Sequence, residues 1–273
     1  MTIRAFGERP RHISRRGLLI GGGAGVGLLL AWTVWPRTFA PNLVASPGEF
    51  VLNGYVKVAN SGQITIAIPE METGQGAFTL FAQIVADELG ADWRTVGVEP
   101  APINPLYGNE AAVADWPGLS RSTPFSPPPP QLTDEAFAPS VFEAQARNAG
   151  AAARALLCMA AAKRWGADWQ ACETENGFVV LGNERLSFAD LAEDAADHEI
   201  PDTLPLRSGR ENRLLGQSVP RIDAPAKIDG SANFAADVRL PGMVYAAVRA
   251  GPLGDTRFTS IDETWATQSR DVL

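Results

Sequence analysis

Cysteine and histidine are scarce in these 273 residues: there are two of each, Cys158 and Cys172, His12 and His198. Neither pair has the CxxC or HxxxH spacing of a metal site, so a structural zinc or an iron–sulfur cluster held wholly by this chain has no ligand set. A Ser-His-Asp site would have to use His198, which lies in the acidic run Glu193 to Glu199 and reads as a surface residue. Basic residues are also in short supply. The 23 Lys and Arg stand against 31 Asp and Glu, and six of those Arg (Arg4, Arg9, Arg11, Arg15, Arg16 and Arg37) sit in the first 37 residues with one acid, Glu8. The rest of the chain holds 17 basic and 30 acidic side chains, a net of −13. That balance repels a polyanion and argues against nucleic acid as a partner. What remains, 45% hydrophobic and 20% charged, is the composition of a globular protein with a real core.

The N-terminus is organised differently. Residues 1–16 are polar and basic, and Gly17 to Trp35 then run nineteen residues without a charge. This is an n-region followed by an h-region. Six glycines make the h-region only mildly apolar, and with Arg15-Arg16 directly ahead of it the leader reads as a twin-arginine export signal, the route for proteins that fold before crossing the membrane. An ordinary Sec signal or membrane anchor is the alternative. Nineteen uncharged residues just span a bilayer, so residues 17–35 are also a candidate tether. The expected location is the periplasm.

After residue 45 the chain shows two kinds of period. Val51 to Ala59 and Gln63 to Ile68 alternate apolar and polar residues around Asn60-Ser61-Gly62, which predicts a β-hairpin. Glu70-Met71-Glu72-Thr73-Gly74-Gln75-Gly76 follows, then a helical stripe over Thr79 to Leu89 ending at Gly90. A second helix is expected from about Glu143 to Trp165, rich in alanine and ended by Gly166. Gly90-Ala91-Asp92-Trp93 and Gly166-Ala167-Asp168-Trp169 are the same four residues after two helices, each leading into a candidate strand, Val96 to Glu99 and Cys172 to Glu175. The pattern is a helix–turn–strand unit used twice, with each Trp at the corner. Asn176-Gly177 predicts a hairpin turn into Phe178 to Leu181, and Ser187 caps a short helix to about Ala196. Ala101 to Gln131 has no periodicity and contains Pro127 to Pro130, which marks a long loop. From Gly216 the texture becomes strand and turn, through Phe234 to Val238 and Leu240 to Val248, and a domain boundary is expected near residue 215.

The Gly74-Gln75-Gly76 turn joins a strand to a helix. Its glycines permit close backbone approach, its Gln donates and accepts at once, and the helix N-terminus beside it favours an anion. That set suits a pterin dinucleotide, although the tripeptide taken alone reads first as a plain glycine-rich turn. The stretch Gly216-Gln217-Ser218-Val219-Pro220-Arg221-Ile222-Asp223 with Pro225, Lys227, Asp229-Gly230 and Leu240-Pro241-Gly242-Met243 resembles the start of the hammerhead domain in the xanthine dehydrogenase and aldehyde oxidase family of molybdenum hydroxylases. The order of the pieces, with Glu72 to Gly76 and its helix behind an export signal, is similar to the branch that holds the isoquinoline 1-oxidoreductase beta subunits. Ala101-Pro102, Tyr107-Gly108-Asn109, and Phe142-Glu143 with Arg147 and Ala149-Gly150 carry the same likeness.

The resemblance implies an α+β fold: a leader over 1–45, part of a molybdopterin-binding domain over 46–215 built of hairpins and helix–turn–strand units, and the start of an α/β hammerhead domain over 216–273. It implies that Gly74, Gln75 and Gly76 contact a molybdenum-molybdopterin cytosine dinucleotide, with a small 2Fe-2S subunit and a cytochrome acceptor as partners. The implied reaction is hydroxylation of an N-heterocycle or aldehyde with water as the oxygen source. Two departures stand out. Ala136-Phe137-Ala138-Pro139-Ser140 falls where the branch carries a hydroxyl-rich loop, and the family's catalytic glutamate lies far beyond the length of this chain, so no residue here takes that role. The competing expectation is a truncated, non-catalytic fragment or an exported scaffold. Replacing Arg15 and Arg16 together by Lys should abolish export, because the twin-arginine receptor separates Arg from Lys and a Sec signal does not. Unchanged periplasmic accumulation on cell fractionation would refute that reading of the leader.

Overall fold

The computed structural model describes residues 39–108, 130–131, 139–208, 213–252 and 254–268. Residues 1–38 of the leader, with the uncharged run 17–35, Pro127 to Pro129 and residues 136–138, lie outside them. Among the described residues no helix is long and apolar enough to cross a membrane.

Strands β1 (Glu49–Val51), β2 (Val56–Ala59), β3 (Ile64–Ile68) and β4 (Val96–Pro100) form one sheet in that order. β1, β2 and β3 pair antiparallel, and β4 joins β3 in parallel, Ile64 opposite Val96 and Ile68 opposite Pro100. The hairpin at Asn60-Ser61-Gly62 closes as its residues require, with Gly62 at φ 87° and its N–H donating to the Ala59 carbonyl at 2.8 Å. The run 51–59 is not one strand, however. Asn53-Gly54 interrupts it: the Asn53 side chain accepts from the N–H groups of Tyr55 and Val56 and turns β1 back onto β2. An Asx turn thereby overrides an alternation that by itself reads as continuous.

A parallel neighbour needs a crossover, and helix α1 (Ala77–Leu89) supplies it between β3 and β4. Its stripe of Phe81, Ile84, Val85 and Leu89 is buried. Helix α2 (Pro139–Trp165) lies against α1, and its run of small residues lets the two backbones close up. Gly150 sets that distance. A methyl group there would stand 2.6 Å from the Val85 carbonyl oxygen and 2.8 Å from Glu88 Cβ. Helix α3 (Phe188–Ala196), capped by Ser187 accepting from the Asp190 N–H at 3.1 Å, packs on α2 and returns to β1 and β2. The architecture is α+β, as the sequence predicts.

The repeated Gly-Ala-Asp-Trp does the same work twice. Gly90 and Gly166 end α1 and α2 at φ 77° and 64°, Asp92 and Asp168 each accept from the N–H two residues on at 3.0 Å, and a short 3-10 turn starts at each Trp. Both tryptophans are half-buried against the core. The second unit leads into β5 (Glu173–Glu175), which pairs with β6 (Phe178–Leu181) across Asn176-Gly177, and β6 with β7 (Glu184–Ser187). Asn176 and Gly177 both take positive φ, 49° and 81°, the requirement of the turn the dipeptide predicts. His198 is half-buried rather than on the surface.

Contacts divide the chain after Ile228. In the second unit, 229–273, the expected strands are absent among the described residues. It contains a 3-10 turn, Ala235–Asp237, and a short helix, Thr264–Thr267. Phe234, Leu240, Val244, Tyr245 and Val248 are exposed. Their alternation is that of a strand, but a strand exists only against a partner, and no described segment pairs with them.

Gly150→Ala should destabilise the protein by roughly 1–3 kcal/mol, the range for forcing atoms into a packed contact, even though Ala is the better helix former. Asn148→Ala, two residues away on the exposed side of α2, should be neutral or stabilising. Chemical denaturation of both variants checks the pair.

Candidate functional site

The loop between β3 and α1 begins in the core and ends at a helix. Ile68, Pro69 and Glu70 are buried, Met71 to Gln75 emerge, and Gly76 stands at the helix start. Gly74 and Gly76 take φ 109° and 92°, a region costly for any side chain. Among the described residues no atom lies within 4 Å of where either would carry a Cβ, so the backbone here is open to approach.

Glu72 shapes this loop. Its carboxylate accepts from the N–H of Gly74 at 2.7 Å, of Gly76 at 3.0 Å and of Phe78 at 3.2 Å, and from Arg221 at 3.0 Å. Burial would raise its pKa, yet the three backbone N–H groups and Arg221 hold it below the ordinary carboxylate value. The negative charge that the helix N-terminus favours is therefore supplied by the protein itself. Arg221 also donates to the Gly74 carbonyl at 2.9 Å and to both oxygens of Asp223 at 3.0 Å, while the Ile222 N–H donates to Thr79 Oγ1 at 3.1 Å. The Arg221-Ile222-Asp223 segment is thus clasped onto the loop. Both pieces stand out in the sequence, but nothing there joins them, since they lie 149 residues apart.

Gln75 is exposed, and its amide is largely spent on the loop. Oε1 accepts from the Thr73 N–H at 2.7 Å and the Thr73 hydroxyl at 2.9 Å, and Nε2 donates to the Met71 carbonyl at 2.8 Å. An amide offers two donor positions, so among the described residues one N–H is left to meet a ligand. The structure brings Gly74, Gln75 and Gly76 together as one turn presenting that N–H and an accessible backbone. With Glu72 and Asp223 against Arg221 around it, the turn fits the polar edge of a heterocycle better than a phosphate.

Beside the loop lies a cavity of about 420 Å³ where β3 and β4 end, walled by Ile68, Met71, Phe78, Pro100, Ile103 and Gln131. Glu70 also lines it. Its Oε2 is buried with no hydrogen-bond partner among the described residues, and desolvation pushes its pKa up to about 7. The sequence shows Glu70 only as one more acid before the turn.

Residues 15–104 match the family model for a molybdopterin cofactor-binding domain, a span that takes in β1 to β4, α1 and the whole loop. Beyond that span the chain is similar to subunits of larger oxidoreductases. It is 29% identical over 297 residues to the beta subunit of isoquinoline 1-oxidoreductase from Brevundimonas diminuta, covering 94% of this chain and 36% of that protein. It is also 29% identical over 264 residues to the membrane-bound aldehyde dehydrogenase [pyrroloquinoline-quinone] of Gluconacetobacter polyoxogenes, covering 93% of this chain and 31% of that one. A nicotinate dehydrogenase subunit of Pseudomonas putida matches at 29% over 201 residues, 72% of this chain and 15% of that one. The crystal structure of quinoline 2-oxidoreductase from Pseudomonas putida 86 covers 55% of this chain and 17% of its own at 17% identity, with a TM-score of 0.36. The chain thus spans about a third or less of the length of its curated relatives.

Glu70 gives this region, matched to the molybdopterin cofactor-binding domain model, a pH signature. Its folded pKa of about 7 stands above the ordinary 4.5, so the folded state holds the proton more tightly than the unfolded one. Its stabilising effect is complete below about 4.5 and is lost as pH rises through about 7. At ~1.4 kcal/mol per pKa unit, discounted for partial solvent access, the loss is on the order of 2 kcal/mol. Glu70→Gln should therefore gain stability relative to the parent between pH 5 and pH 8. Parallel denaturation curves at the two pH values measure it, and an unchanged difference would mean that Glu70 is solvated.

Proposed function

We propose that the chain is the N-terminal portion of the molybdenum-cofactor-binding large subunit of a periplasmic molybdenum hydroxylase. The observation that carries this reading is the Gly74-Gln75-Gly76 turn, open at both glycines and set between a parallel strand and a helix within the region matched to a molybdopterin cofactor-binding domain. Gln75 with its free N–H, and the backbone of Gly74 and Gly76, would hold the cofactor; the cytosine dinucleotide is the form we assign. When bound, that group supplies the two-electron oxidation of a carbon in an N-heterocycle or aldehyde. The chain's own contribution is positional. Glu72 and Arg221 fix the turn, apolar walls flank it, and Gln75 would orient the ring edge it meets.

Further parts follow from the same reading. Two cysteines, both free and buried, cannot hold iron–sulfur clusters, so electrons would leave through a separate 2Fe-2S subunit and then a cytochrome acceptor. Two of the relatives, of isoquinoline 1-oxidoreductase and of nicotinate dehydrogenase, are themselves named as subunits, which supports a multi-subunit assembly. Residues 216–273 would begin a hammerhead domain, and residues 1–45 would export the chain by the twin-arginine route, with 17–35 as a potential tether to the inner membrane.

The test is cofactor content. After expression with its leader in a host that makes the dinucleotide, the complete subunit should carry molybdenum and release cytosine nucleotide on hydrolysis. Gln75→Ala removes the pin to Met71 and Thr73 together with the ligand contact, at ~1–3 kcal/mol, so retention should fall by about five-fold to more than a hundred-fold. Gln75→Glu should retain less still, because the added carboxylate loses the donor to Met71 and sits near Glu72. Equal molybdenum in all three, with unchanged circular dichroism, would leave the turn purely structural.

A further inference from the structure

Both cysteines of the chain meet at one corner. Cys158 lies on α2, eight residues before the Gly166 stop, and Cys172 lies six residues after it, where the 3-10 turn passes into β5. The first Gly-Ala-Asp-Trp corner has Ala82 and Val96 at the same two places, counted from Gly90. Packing at such a corner therefore needs only small apolar side chains, and the thiols are an addition to it. The two residues also touch. The Cys158 thiol donates to the carbonyl of Cys172 itself at 3.9 Å, and the Cys172 thiol donates to the Asp168 carbonyl at 3.8 Å. A thiol is a weak donor, so neither bond holds its sulfur against rotation about Cα–Cβ. Both side chains line one cavity of about 320 Å³, and its rim residues Gln170, Thr203 and Leu206 are exposed to solvent. Among the described residues no third metal-binding side chain joins them. What remains to two thiols at one corner is each other.

We propose that Cys158 and Cys172 are a redox pair, which a small disulfide entering through the cavity converts to an intramolecular disulfide that staples α2 to the start of β5. Cys172 is 7% exposed against 2% for Cys158, so the oxidant reaches its sulfur first. As a thiolate, Cys172 attacks one sulfur of the oxidant. A mixed disulfide forms, the oxidant's own S–S bond breaks, and one thiolate leaves. Cys158 then loses its proton and attacks the Cys172 sulfur, forming the Cys158–Cys172 bond and releasing the second thiolate. Each leaving thiolate takes up the proton that an attacking thiol gave. The chain loses two hydrogens with their electrons, and the oxidant is reduced to two thiols. Burial pushes both cysteines upward, Cys158 to about 12, so little thiolate exists at neutral pH and the reaction accelerates as pH rises. The staple joins residues 14 apart and restricts the unfolded chain between them. The inference rests on this corner, not on the molybdenum reading.

The test uses the full chain, purified with reductant, freed of it and exposed to oxidised glutathione in mildly alkaline buffer. Thiols are then counted by alkylation in denaturant, and the intact mass is read. The parent should lose both alkylatable thiols, become lighter by two hydrogens, and yield on digestion one peptide pair joined through Cys158 and Cys172. Its midpoint of chemical denaturation should rise above that of the reduced form. Cys158→Ala and Cys172→Val, which copy the residues of the first corner, should keep the fold and lose that rise. Two thiols still open to alkylation, glutathione retained on either cysteine of the parent, or a disulfide between two chains overturns the proposal. So does a midpoint that oxidation lowers, because the folded corner would then hold the sulfurs out of reach of each other. None of these results alters the molybdenum content of Gln75→Ala, which decides the other reading separately.

Discussion

Two adjacent carboxylates near the end of α1 hold the larger unit together. Glu88 is 2% exposed and accepts from Arg147 and Arg154, both of α2, at 3.1 Å, and from the Arg207 N–H at 2.6 Å. Asp87 accepts through one oxygen from the N–H groups of Arg213, Leu214 and Leu215. Arg147 and Arg154 donate in turn to the carbonyls of Arg207 and Pro205, and Arg207 to the Asp87 and Thr174 carbonyls. Removing one member of such a buried cluster strands the others, at ~3–5 kcal/mol. Through it α1, α2, β5 and residues 205–207 and 213–215 are fixed to one another. Burial, with Arg154 and Arg213 nearby, pulls the Arg207 pKa down.

The elements legible in the sequence were those whose cause is local. Helix stripes, the glycine stops at Gly90 and Gly166, the Asp92 and Asp168 caps and the Asn176-Gly177 turn all act within a few residues, and each stands where its residues predict. Asn53-Gly54 is the same kind of signal as Asn176-Gly177, but it sits within an alternating run, and the alternation masked it. Residues 234–248 show the converse: their pattern is that of a strand, and pattern alone cannot provide the neighbour that makes one.

The candidate site was legible only as a tripeptide. Glycines flanking a glutamine announce an open turn, and the structure shows one. What the turn rests on was not legible, because Glu72 and Arg221 meet across 149 residues and a charge in a sequence carries no address. The same holds for Glu70, whose raised pKa comes from walls contributed by β3, α1, β4 and Gln131 together. A buried acid and a solvated one are written with the same letter.

The Arg221 clasp also bears on the order in which the molecule assembles. α1 and the β2–β3 hairpin close over short stretches of chain, whereas the support under Gly74 waits for a residue synthesised far later, and long loops close slowly. During synthesis the helix therefore precedes the finished turn. A nascent chain would carry the glycines and the glutamine before it carried their final shape, which places competence to load a ligand at that turn late in folding.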